Sequence, residues 1–126
     1  MNVQFEGRNV LTDLHALIDS QLDELDFGVI AFDAGIVVRR DNLTESQATG
    51  VKPERVIGCH LFTEVAQCMN NFMVAQKFLD ASEAARPLDE SLDFVLTWRM
   101  RPTPVKLRLL SHPDIGLQYL LLKRTS

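Results

Sequence analysis

Three runs in the last third of the chain alternate apolar and polar residues with a period of two. Leu92, Phe94, Leu96, Trp98 and Met100 alternate with Asp93, Thr97 and Arg99, and Val105, Leu107 and Leu109 alternate with Lys106 and Arg108. Leu117, Tyr119 and Leu121 form one face of the last run. Such a period sends successive side chains to opposite faces of a strand. A crossover between parallel neighbours needs roughly a dozen residues or more, whereas the turn His112-Pro-Asp-Ile-Gly116 is far shorter. These runs therefore pair antiparallel. The other face of the last run, Leu120 and Leu122, is apolar as well, so it must be covered. An N-terminal helical stripe is the expected cover, and a second copy of the chain is the alternative.

That stripe is Leu11, Leu14, Ile18, Leu22 and Leu25, spaced by three and four over a helical stretch from Val10 to Leu25. Ser20 and Asp23 are the expected points of division into two short helices. Phe27 to Phe32 is a β-prone run, Asp33-Ala-Gly35 has turn chemistry, and Ile36 to Arg40 returns as the partner strand. Asn42 to Lys52 reads as a short helix ending near Gly50, and Pro53 to Gly58 as one turn bounded by Pro and Gly. Phe72 to Arg86 reads as a longer helix with Val74, Phe78, Ala81 and Ala85 on one face, stopped by Pro87. The expected fold is α+β: a five-stranded antiparallel sheet, helices on one face and an N-terminal helical cap on the other. One domain is expected over 1–126, with the cap in 1–25 and the core in 26–124.

Composition narrows the function. A net charge of −4 argues against a phosphate-backbone partner. No run of about 18 apolar residues exists to span a membrane, and Met1-Asn-Val-Gln-Phe-Glu lacks the order of a signal peptide. Cys59 and Cys68 make no disulfide framework, so a cytoplasmic, reducing compartment is expected. Cys59-His60 matches neither the haem-attachment spacing nor a four-ligand zinc site. Asp33, Asp41 and Glu45 come with no nucleophile beside a base, and no Gly-rich phosphate loop is present. The expectation is a protein that is not an enzyme.

Several stretches together resemble PAS domains, and among them the photoactive yellow protein group. They are Gln21-Leu-Asp-Glu-Leu-Asp-Phe-Gly-Val-Ile, Glu45-Ser-Gln-Ala-Thr-Gly, Pro53-Glu-Arg-Val-Ile-Gly, Phe62-Thr-Glu-Val-Ala-Gln-Cys68, Met100-Arg-Pro-Thr-Pro-Val-Lys and the closing Leu-Leu-Leu-Lys-Arg. The resemblance runs from about Leu17 to Arg124 with the spacing between motifs kept. It implies the PAS fold, a role in signal transduction, and a partner that is a signalling protein or a second copy. In that group a cysteine carries 4-hydroxycinnamic acid as a thioester, a glutamate and a tyrosine hydrogen-bond its phenolate, a threonine supports them and an arginine shields the pocket. By resemblance Cys68 stands at the attachment cysteine, Glu45 at the glutamate and Thr49 at the threonine. Asp41 stands in place of the tyrosine, Val51 in place of the arginine, and Gln67 in place of the usual proline before the cysteine.

The residues themselves leave each role open. Cys68 by itself reads as a small buried hydrophobe, with a ligand attachment point or a reactive thiol as the alternatives. Glu45 fits a capping box with Asn42 as N-cap, its side chain reaching back to the Asn42 N–H. Thr49 before Gly50 fits a helix end. The leading expectation is a sensor passing a ligand- or partner-induced change through the cap and the sheet face, the cap being held by few contacts. The alternatives are a photoreceptor with its chromophore on Cys68, a ligand-free dimerisation or interaction module, and a thiol redox sensor.

Overall fold

The computed structural model describes residues 3–97 and 101–124. Helices α1 (Val10–Ala16) and α2 (Asp19–Leu22) precede strands β1 (Gly28–Phe32) and β2 (Val38–Asp41). Helices α3 (Leu43–Thr49) and α4 (Pro53–Val56), a π-turn over Leu61–Val65 and a 3-10 turn over Gln67–Met69 follow. Helix α5 (Ala75–Glu83) leads to β3 (Leu88–Leu96), β4 (Thr103–Ser111) and β5 (Gln118–Arg124). The strands form one antiparallel sheet in the order β2-β1-β5-β4-β3, as their alternation and short connections require.

β5 lies between β1 and β4, and this placement explains its two apolar faces. Leu120 pairs with Ile30 and Leu109, and Leu122 with Gly28 and Leu107. These side chains join Phe32, Phe62, Met69, Val74 and Phe78 in the main core under α3, α4 and α5. Tyr119 and Leu121 point the other way and join Val3, Phe5, Leu14, Leu22, Val29 and Leu110 in a second core under the N-terminal cap. The expectation for the cap is thereby corrected: it covers the Tyr119/Leu121 face, and the helices after β2 cover Leu120 and Leu122. A central strand buried on both sides is apolar throughout, so local pattern cannot assign its faces.

Other expectations shift in position. The N-terminal helix breaks at Leu17, whose backbone is extended, and not at Ser20 or Asp23. Ile18 is consequently 64% exposed. The long helix starts at Ala75, because the Asn71 side chain accepts from the N–H groups of Met73 and Val74 and holds that stretch as a turn. Phe72 stays outside it, 84% exposed. Ala85 has left the helix, with φ of 49°, and is exposed. β3 begins at Leu88 and runs to Leu96; the expected positions Trp98 and Met100 lie outside the described residues.

Candidate functional site

Asn42 organises the region where the site residues stand. Its Oδ1 accepts from the N–H of Val29 at 2.9 Å and of Glu45 at 3.1 Å. Its Nδ2 donates to the carbonyls of Leu22 and Phe27 at 2.9 and 3.0 Å. A buried amide with all these bonds made is fully satisfied, and it ties the cap, β1 and α3 to one point. The N-cap expectation for Asn42 thus matches the structure. The reciprocal half does not: the Asn42 N–H donates to the Val29 carbonyl, not to Glu45.

The Glu45 side chain is buried and turns to the end of β5. Arg124 grips it from two nitrogens, at 2.7 and 3.1 Å. Gly28 makes this possible, because a Cβ there would collide with Glu45 Oε1. An ion pair with both oxygens engaged is the strong form of carboxylate recognition, so Glu45 is neither a solvated residue nor a backbone cap. Thr49 stays within its helix end. Its hydroxyl donates to the Ser46 carbonyl at 3.3 Å and accepts from the Val51 N–H at 3.1 Å.

Asp41 has a buried Oδ1 with no hydrogen-bond partner among the described residues. Burial first, then the charges of Glu45 and Asp23, push its carboxyl up to about 7. Cys68 sits on the 3-10 turn, partly buried against the main core. That turn follows Phe62, which packs edge-on to Phe32 at 5.8 Å. Val51 also packs against the main core, and the Gln67 amide donates to the Thr63 carbonyl. Glu45, Thr49 and Asp41 therefore share one corner of the fold, but no hydrogen bond joins them.

A buried phenolate would need proton donors around it. Both Glu45 oxygens are taken up by Arg124, and Asp41 carries a proton only below about pH 7. The polar groups of this corner do not fit the phenolate of 4-hydroxycinnamic acid, whatever the Cys68 thiol carries. At Cys59, the Glu64 carboxylate beside it pushes the thiol up. Asp33 keeps its turn role: the Val37 N–H and the Arg39 guanidinium hold its carboxyl below the usual range.

The polar contacts that the sequence concealed lie on the opposite face of the sheet. Arg40 of β2 donates from Nη1 to the Leu14 carbonyl and to Tyr119 Oη, at 3.2 and 2.8 Å, and from Nη2 to the Leu17 carbonyl. Its Nε reaches Asp19 at 3.1 Å. The Tyr119 hydroxyl also shares a hydrogen bond with His15 Nδ1 at 3.2 Å, and burial pushes this phenol up. Arg108 of β4 donates from Nη1 to the carbonyls of Phe5 and Gly7, both at 2.8 Å, while Nε and Nη2 clamp Asp89 of β3 at 2.9 Å. Two guanidiniums on the sheet thus grip four cap carbonyls. The expectation that few contacts hold the cap is corrected. The one local signal was that Arg108 shares its strand face with Leu110, an apolar neighbour foreign to a solvated row.

No family model matches the chain. The photoactive yellow protein of Rhodothalassium salexigens is 31% identical over 106 residues, covering 84% of this chain and 82% of that protein. That of Halochromatium salexigens is 31% identical over 107 residues, covering 85% of each. The crystal structure of the photoactive yellow protein domain from the sensor histidine kinase Ppr of Rhodospirillum centenum superposes with a TM-score of 0.81 at 32% identity. It covers 89% of this chain and 97% of that one.

Proposed function

The chain belongs to the photoactive yellow protein group of PAS domains, and from this we propose that it works as a sensory switch whose moving part is the N-terminal cap. The observation that carries the reading is the pair of arginine latches. The cap has its own small core, separated from the main core by the sheet. It can therefore lift without exposing the apolar interior beneath α3–α5. The latches are discrete polar contacts, made or broken together, which suits a two-state element better than a graded one. A change on the helical face reaches the latches through Asn42, which binds the cap carbonyl of Leu22, the Phe27 carbonyl and the β1 backbone at once. Lifting the cap uncovers the Tyr119/Leu121 face for a signalling protein or a second copy of the chain, in the cytoplasm and without catalysis.

Hydrogen exchange tests this. Amides of Val10–Leu25 are expected to open at lower free energy than those of β1, β4 and β5. Cap amides that exchange only through global unfolding, at the rate of the sheet, would sink the reading.

A further inference from the structure

We propose that the domain carries a second ligand site, for a small organic carboxylate, in the cavity between the end of α5, the Asp33–Ile36 turn and the β4–β5 loop. This cavity has a volume of about 310 Å³, near the lower end of the range for small-molecule sites. None of Asp41, Glu45, Thr49 or Cys68 lines it, so the inference stands apart from the cap switch.

Its floor is polar in an unusual way. Ser111, the last residue of β4, is only 8% exposed, yet its hydroxyl makes no hydrogen bond among the described residues. It shares the helical face of its strand with Leu107 and Leu109, and so looks toward the end of α5. Gln118, 9% exposed, stands beside it at the start of β5. Its Nε2 donates to the Asp33 carbonyl at 3.2 Å, which leaves Oε1 as a free acceptor. The Ser111 hydroxyl and Gln118 Oε1 thus present a donor and an acceptor to the cavity, neither engaged within the described residues.

Charge sets the class of the ligand. Arg86 lines the same cavity and makes no ion pair among the described residues. His112, also lining the cavity, accepts from the Asp114 N–H at Nδ1, with the Asp114 carboxylate 3.8 Å from the same nitrogen. No carboxylate lines the cavity. A guanidinium fork matches a carboxylate from two nitrogens, and the Ser111 hydroxyl can donate to a third position. Ala34, Ala81 and Ile115 supply the apolar wall. The geometry therefore suits a compact apolar acid with its carboxylate on Arg86 and its body over the alanines.

The test is an amide-resolved NMR titration of the whole chain with benzoate, with benzyl alcohol as the neutral match. Benzoate is expected to give saturable shifts clustered at Ser82–Arg86 and Ser111–Gln118, with benzyl alcohol giving none there. Arg86→Gln should weaken benzoate by about tenfold or more, the scale of one charge-assisted pair. Arg86 is exposed, so this variant keeps the fold. Ser111→Ala should weaken it by a smaller factor. The proposal is overturned if millimolar benzoate produces no saturation, if the shifts map elsewhere, if the alcohol binds as well, or if Arg86→Gln binds benzoate like the parent chain.

Discussion

Asp41 shows how a single side chain couples this fold to pH. Its carboxyl, ordinarily at 3.8, is pushed up to about 7 by burial and by Glu45 and Asp23. The folded state therefore holds a proton that the unfolded chain releases. Stability from this group is complete below pH 3.8 and is lost as pH rises through about 7. Asp41→Asn removes the dependence while keeping the shape. It is expected to stabilise the protein by about 1–2 kcal/mol at pH 8, after allowance for partial solvation, and to change little at pH 4. Thermal melts of both proteins at the two pH values check this, and an equal Tm difference at each would refute it. The residue scale is also where legibility was poorest. Asp41, Glu45 and Arg124 are ordinary polar letters in the chain. What distinguishes them is which neighbours lie within a few ångströms, and that depends on residues as far apart as positions 45 and 124.

At the scale of elements, local chemistry was readable wherever the interaction is local. Asn42 as N-cap, Pro53 at the start of α4 and Asp33 in its turn all appear as expected, since each acts within a few residues of itself. The long helix was misjudged at both ends, because Asn71 captures its first N–H groups and Ala85 adopts a left-handed conformation. The end of α5 is a Schellman-type closure, with the Arg86 N–H on the Ala81 carbonyl and the Ala85 N–H on the Ser82 carbonyl. Glycine is the residue that usually serves at such a position, because a Cβ there costs about 1–2 kcal/mol. Ala85→Gly is expected to stabilise the protein by about 0.5–1 kcal/mol, once the extra freedom of glycine in the unfolded chain is deducted. A higher urea midpoint with an unchanged slope is the measurement. A lower midpoint would mean that the φ of 49° costs nothing.

For the whole molecule, the telling fact is that one sheet separates two cores of different size. The larger lies under α3–α5, and the smaller is closed by the cap and locked by Arg40 and Arg108. Arg108→Gln would leave the Phe5 and Gly7 carbonyls without their donor and break the Asp89 clamp. The expected cost is about 2–3 kcal/mol, the scale for orphaned buried partners of a charged group. Limited proteolysis should then cut within residues 3–25 well before the sheet. Simultaneous loss of both would show that the cap and the main core unfold as one unit.

By itself the sequence determined the set of strands, their antiparallel pairing, the cap helices and membership of a PAS group. Period, turn length and motif spacing are local or nearly local quantities, and a single chain carries them openly. Only the tertiary structure decided which apolar face of β5 the cap covers, since a strand buried on both sides looks alike from either. It also decided that Arg40 and Arg108 turn to the cap carbonyls and Arg124 to Glu45, and not outward as solubilising charges. A guanidinium takes its meaning from the carbonyls and carboxylates that the fold delivers to it, and those arrive from distant parts of the chain.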